Sequence, residues 1–188
     1  MTFRNLVTGA LAATLALALP RLAAGQTGAT NESQADVDAG ADIMRIRNQG
    51  VTEPFNQGFH ASASYRFSHL MSVLGDVSAD FHKLPDYTKH IYAYGGGIRF
   101  NAPNQHARID PLAQIVVGWA QDNGVGDGHH NYYPFVSPAA GVDLGLVKGV
   151  SARVRVDFPL WMTFGDVYKG MRASFGLSCR FGTRKTTV

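Results

Sequence analysis

The chain lacks most of the devices by which a protein of its size is held together or attached to a membrane. Among 188 residues there is one cysteine, Cys179, so no disulfide can close within the chain. Beyond residue 25 no apolar run approaches the roughly 20 residues that a spanning helix needs. Apolar residues do not recur at three and four spacing over any long window, which argues against an extended amphipathic helix. An excess of charge is missing as well. Losing Arg4 and Arg21 with the first segment takes 17 basic residues to 15 against 14 acidic ones, so the basic pI carries no case for nucleic acid.

The first segment, residues 1–25, carries Arg4, an apolar run from Leu6 to Leu19, and the small residues Ala23, Ala24 and Gly25. That order of charge, apolar stretch and small residues predicts a secretory signal peptide, and hence an exported chain. Residues 26–36, QTGATNESQAD, are small and polar and read as a flexible leader. A barrel-sized segment follows at 37–181, and residues 182–188 form a short tail.

The segment 37–181 alternates. In GMRASFGLSCRF, Met171, Ala173, Phe175, Leu177, Cys179 and Phe181 share one parity, and Arg172, Ser174, Gly176, Ser178 and Arg180 the other. A period of two is the mark of a strand with two unlike faces. Eight such strands are predicted over 37–46, 58–67, 70–82, 90–100, 107–121, 135–145, 149–158 and 171–181, separated by clusters of Gly, Pro, Asn and Asp. The fold class is all-β with an even strand number. Shorter links, such as LVKG, alternate with longer ones, such as DNGVGDGHHNYY, as in an up-and-down meander with tight turns at one end and larger loops at the other. The first strand alternates cleanly only to Asp42, and Met44 and Arg45 then predict a bulge. Pro111 and Pro138 inside strands predict a bulge or a missing ladder bond.

Sorted by parity, one face of every strand is apolar and the other collects Arg66, Arg99, Arg108, Arg153, Arg155, Arg172 and Arg180 beside Asp38, Asp42, Asp76, Asp80, Asp110, Asp143 and Asp157. No lysine or glutamate stands among them. A planar fork with five donors and a short carboxylate suit a confined space, where a solvated face would also use Lys and Glu. The charges therefore point inward and the apolar groups outward, the inverse of a soluble barrel. Lipid is the outer solvent this implies, because an Arg or Lys facing hydrocarbon near the midplane costs about 2–4 kcal/mol.

Signal peptide, eight alternating segments, inverted faces and a last strand ending Leu177, Cys179, Phe181 together resemble the eight-stranded outer-membrane β-barrels of Gram-negative bacteria, the OmpA-like transmembrane domain and its small relatives. The resemblance spans 37–181 and implies an antiparallel up-and-down transmembrane barrel, inserted by the barrel-assembly machinery as a monomer. It implies periplasmic termini and four extracellular links. The tail GTRKTTV departs from family members that stop at the terminal aromatic.

These residues bear on four functions. A wide channel conflicts with a lumen filled by arginines, although a narrow or gated path for small solutes stays open. A lipid A-modifying enzyme needs Ser and His on the outer face; Ser62, Ser64, Ser72, Ser78, Ser151, Ser174 and Ser178 have inward parity and only His90, beside Tyr92, has outward parity. Asp127, His129 and His130 stand together in a Gly-rich link without the spacing of a metal site, and His60 and His82 are expected to bond barrel carboxylates. No cofactor is expected. Contact with lipopolysaccharide is expected of Arg45, Arg47, Lys83, Lys89 and Lys169, all near the end opposite the termini. The reading is a non-enzymatic outer-membrane barrel with a structural, adhesive or surface-interaction role, the alternative outside membranes being a soluble lipid-binding barrel.

Overall fold

A computed structural model of the chain describes residues 31–32, 35–48, 51–52, 56–68, 70–83, 88–101, 109–123, 130–163, 166–182 and 184–185. The signal peptide read over 1–25 lies outside them, as do Arg108, Asp127 and His129. In chain order the strands are β1 (Asn31–Glu32), β2 (Ala35–Asn48), β3 (Val51–Thr52), β4 (Asn56–Arg66), β5 (Met71–Lys83), β6 (Thr88–Asn101), β7 (Ile109–Asn123), β8 (His130–Val147), β9 (Val150–Asp157), β10 (Leu160–Met162), β11 (Val167–Phe181) and β12 (Arg184–Lys185). No described residue is helical.

The antiparallel wall runs β2-β4-β5-β6-β7-β8-β9-β11, with β3 a two-residue hairpin on the end of β2, and β11 then pairs with β2 from Phe181↔Ala35 to Lys169↔Arg47, closing the wall. β2, β4, β5, β6, β7, β8, β9 with β10, and β11 make eight wall strands, β9 and β10 being one strand interrupted at Phe158 and Pro159. β8 pairs with both in a single register, Ala139↔Asp157 below the interruption and Val136↔Leu160 above it. Following the pairing once round, from Val37 through Ala63, Gly75, Gly96, Val117, Val136, Leu160 and Lys169, returns to Arg47, ten residues further along the starting strand. That stagger tilts the strands and sets a lumen just wide enough for side chains.

Alternation along β4, β7 and β9 decides which groups line that lumen. On β4 the buried residues are Asn56, Gly58, His60, Ser62 and Ser64, with Phe59 62 % exposed and Tyr65 51 % between them. On β11 the buried Arg172, Ser174 and Ser178 alternate with exposed Met171, Phe175 and Leu177. The outer wall is thus the apolar one, and Cys179 has its parity.

Several sequence expectations are corrected. β2 has no bulge at Met44: it pairs without a shift from Ala35 to Met44 with β4 and to Arg47 with β11, so Met44 and Ile46 point inward and Arg45 and Arg47 outward. Of the two outcomes expected at Pro111 and Pro138, no register shift occurs at either, each on the outer face, but at Pro138, whose carbonyl accepts from Phe158 at 2.9 Å, no N–H returns the bond; among the described residues a register shift lies at Gly145/Val147. The strands are longer than the alternation alone gave, most of all β8 and the pair β9/β10, so the link containing PLWMTFGDVYK is mostly wall. Residues 26–36 do not all precede the barrel, since Ala35 and Asp36 are in β2, and Asn31–Glu32 pairs with Arg184–Lys185 of the tail. The tight turn between β8 and β9 depends on Gly149, whose φ of 80° is open to glycine at little cost.

Candidate functional site

Every barrel strand sends polar groups into the lumen, and at the end that holds the termini they form one connected network. Arg153 and Asp143, register partners on β9 and β8, meet fork to carboxylate: Nε donates to Oδ1 at 2.7 Å and Nη2 to Oδ2 at 2.9 Å. Nη1 of Arg153 crosses to Asp36 on β2 at 3.2 Å and also bonds Asp38. From the opposite wall Arg99 donates to Asp36 at 2.8 Å, to Gln114 at 2.9 Å and to Ser62 at 3.1 Å. Arg180 bridges Asp110 and Asp143 at 2.7 and 2.8 Å. Ser62 and Ser64 donate to Asp38 and Asp36 at 2.5 and 2.6 Å.

A second tier continues the network up the barrel. His60 stands between two carboxylates, its Nδ1 at 2.7 Å from Asp42 and its Nε2 at 3.3 Å from Asp38. Arg155 donates to its strand neighbour Asp157 at 3.0 Å and across the lumen to Asp76 at 3.2 Å. Arg172 donates to Ser78 at 2.6 Å and pairs with Asp157 and Asp76 at 3.5 and 3.7 Å. Asp80 is buried over Gly58, where any Cβ would lie 2.6 Å from its Oδ1. Arg66 is half-buried at the end of β4. Arg99 is 0 % exposed and Arg155 1 %, values reached by charged groups only when they are paired.

Sequence reasoning missed two parts of this interior. Asp36 was assigned to the leader, although it shares the parity of Asp38 and Asp42. The upper lumen is apolar: Met44, Ile46, Ile91, Ala120, Phe135 and Trp161 are buried together above the charges. The break at Met44 is a change of chemistry along one unbroken face, which parity alone would have shown. Against this layer lies a cavity of about 170 Å³ lined by Ile46, Ile91, Ala120, Tyr133, Trp161 and Tyr168. Lys89 and Asp122 also line it, their charged atoms 3.6 Å apart and partly exposed.

The remaining expected positions separate. Arg45, Arg47 and Lys169 are exposed on the outer wall at the end away from the termini, with Lys169 the register partner of Arg47. Lys89 instead turns inward to Asp122, and Lys83 ends β5. Every serine in a described barrel strand is buried in the lumen. His90 faces outward, in edge contact with Phe81 at 5.3 Å and stacked on Tyr92 at 6.2 Å. Among the described residues no group of His, Cys, Asp and Glu is arranged to hold a metal ion.

No family model and no curated protein matches the chain. Solved structures do. The crystal structure of Neisserial surface protein A is similar with a TM-score of 0.65 at 16 % identity, over 78 % of this chain and 97 % of that one. The attachment invasion locus protein Ail of Yersinia pestis gives 0.58 at 14 % identity, over 80 % and 99 %. The N-terminal β-barrel domain of Pseudomonas aeruginosa OprF gives 0.55 at 9 % identity, over 80 % and 100 %. At such identities the likeness is one of fold: the chain is a closed eight-stranded antiparallel barrel of the outer-membrane type.

Proposed function

We propose that the chain is a non-enzymatic integral protein of the outer membrane, without an open pore, whose role is structural, adhesive or otherwise exercised at the cell surface. The observation that carries this reading is the double closure of the lumen, by the Arg/Asp network toward the termini and by Met44, Phe135 and Trp161 above it. A water-filled path would require both layers to be absent along one line. The burial of every described strand serine also removes the nucleophile that acyl-group chemistry on the lipid face would need. Attachment, in the name of the Yersinia pestis protein, is a role of the kind proposed.

The proposed partner is the lipid around the barrel, including lipopolysaccharide at its outer rim. Arg45, Arg47 and Lys169 cross the β2–β11 seam on the lipid side, where phosphates and acidic sugars can accept charge-assisted hydrogen bonds. Lys89 is not part of that patch.

The test is fractionation of cells expressing the chain, with electrophoresis of heated and unheated samples and planar-bilayer recording of the purified barrel. Outer-membrane recovery, heat-dependent migration and an absence of discrete conductance steps are expected. Recovery in the soluble fraction would overturn the membrane reading, and stepwise conductance would overturn the closed lumen. For the rim patch, the triple variant R45Q/R47Q/K169Q should weaken the barrier to hydrophobic dyes; an unchanged barrier removes that contact.

A further inference from the structure

Beyond the apolar layer, toward the end away from the termini, the inner face of four strands carries one residue more. Lys89 stands two positions from Ile91 on β6, Asp122 two from Ala120 on β7, Tyr133 two from Phe135 on β8, and Tyr168 two from Gly170 on β11. Inward positions recur every second residue, so these four make the rim of the cavity of about 170 Å³, and Ile46, Ile91, Ala120 and Trp161 make its floor.

Rim and floor together bring aromatic rings beside an ion pair. Trp161 and Tyr168 are register partners on β10 and β11, and Tyr133 is the partner of Ala120, whose single methyl leaves space beside the phenol ring. Tyr133 and Tyr168 both pack on the buried layer. Lys89 and Asp122 stand 3.6 Å apart, wider than the about 2.7–2.9 Å of a direct charge-assisted bond. Their side chains are 18 % and 20 % exposed, so water reaches the cavity on this side.

An ion pair so placed is complementary to a second one. A ligand carrying both signs lies antiparallel to it, anion to Lys89 and cation to Asp122, and leaves neither side chain unbalanced. The rest of the cup selects the cation. Ile46, Ile91 and Ala120 offer no side-chain acceptor, so a primary ammonium would give up hydrogen bonds to water that a quaternary ammonium never makes. Aromatic faces attract a quaternary ammonium directly. A choline group, the size of one benzene and a hydroxyl, suits a volume close to the about 150 Å³ that accepts benzene.

We infer that this cup binds a small zwitterion in which a short linker joins a trimethylammonium group to a phosphate or carboxylate, as in phosphocholine. The trimethylammonium sits among Tyr133, Trp161 and Tyr168 beside Asp122, and the anion meets Lys89. Placing the cup on the cell exterior rests on the membrane reading above; the binding does not.

Trp161 is the probe, since W119F leaves it the only tryptophan. The full barrel carrying W119F is refolded into phosphatidylglycerol vesicles, which contain no choline, and titrated with phosphocholine. A saturable change in Trp161 emission is expected, and phosphoethanolamine, which lacks only the methyl groups, should give none. Y168L should raise the half-saturating concentration about 3- to 30-fold, the range for one ring. D122N should weaken choline and phosphocholine alike, whereas K89Q should weaken phosphocholine and spare choline. Heat-dependent migration shows that each variant has folded. Phosphatidylcholine vesicles added in place of phosphocholine read the source: a response assigns the headgroup of an opposing membrane, and no response assigns a free or glycan-borne zwitterion. Absence of a saturable response up to about 10 mM phosphocholine, an equal response to phosphoethanolamine, or a response that survives filling the cup with A120L overturns the site. Were the chain to stay outside the vesicles, the membrane reading would fall, and the same titration in buffer would still decide the cup.

Discussion

Replacing Arg153 by methionine measures how dry the lumen is. Arg153 is 2 % exposed and supplies two of the three described side-chain hydrogen bonds of Asp143, leaving only that from Arg180 at 2.8 Å. It also reaches Asp36 and Asp38, which keep Arg99 and their serine donors. In a sealed interior, removing one partner of a buried pair costs about 3–5 kcal/mol, because the carboxylates left behind have no water to turn to. In a water-filled lumen the same pair would be worth about 0–1 kcal/mol. With urea slopes of about 1–3 kcal/mol per molar, the sealed case lowers the unfolding midpoint by more than about 1 M. The assay is urea titration of the barrel refolded in phospholipid vesicles, followed by tryptophan emission and by the heat-modifiable band. R153K, which keeps the charge but loses the planar fork, should fall between parent and R153M. A midpoint for R153M within about 0.3 M of the parent would place the pair in the range of solvated ones and refute the sealed lumen.

Three further outcomes follow from the same geometry. F175R places a charge on the outer wall, where Phe175 is 52 % exposed beside Val154, and should destabilise insertion by about 2–4 kcal/mol, read as loss of the folded band on refolding into vesicles. G170A drives a methyl into the ring of Trp161; in the W119F background its emission should shift toward the red, and an unshifted spectrum would mean that the ring does not lie against β11. Raising salt from 0.05 to 1 M, a range over which the screening length falls from above about 10 Å to about 3 Å, should leave the urea midpoint of the parent unchanged, since screening acts on exposed charges and these are buried. A midpoint that drops with salt would indicate hydrated pairs.

The wall was legible in the sequence because a period of two is a property of the backbone. Wherever residues such as Arg153, Val154, Arg155 and Val156 alternate in polarity, geometry and chemistry coincide, and the strand and its inner face can both be read. The reading failed where the two part company. At Met44 and Ile46 the inner face turns apolar, and in sequence that change looks like a slip in the strand. At Pro159 and Trp161 the same thing happens after a proline, and there wall looks like loop. Asp36 failed for the opposite reason, since a polar residue next to a polar leader carries no contrast. Pairing across the lumen could not be read at all. Arg153 meets Asp36 through the stagger of the closed ring, over 117 positions of chain, and no local pattern encodes that stagger.

The two luminal layers depend on each other. An ion pair strengthens as the polarity around it falls, and the apolar layer of Met44, Phe135 and Trp161 keeps water from reaching the network from above. The network in turn fixes β2, β4, β6 and β9 to one another through the lumen, which holds the apolar side chains in register over it. Neither layer is free to open by itself: parting the charges exposes carboxylates with no solvent to receive them, and parting the apolar groups admits water to a network whose strength came from its absence. A lumen built this way resists becoming a passage along its axis.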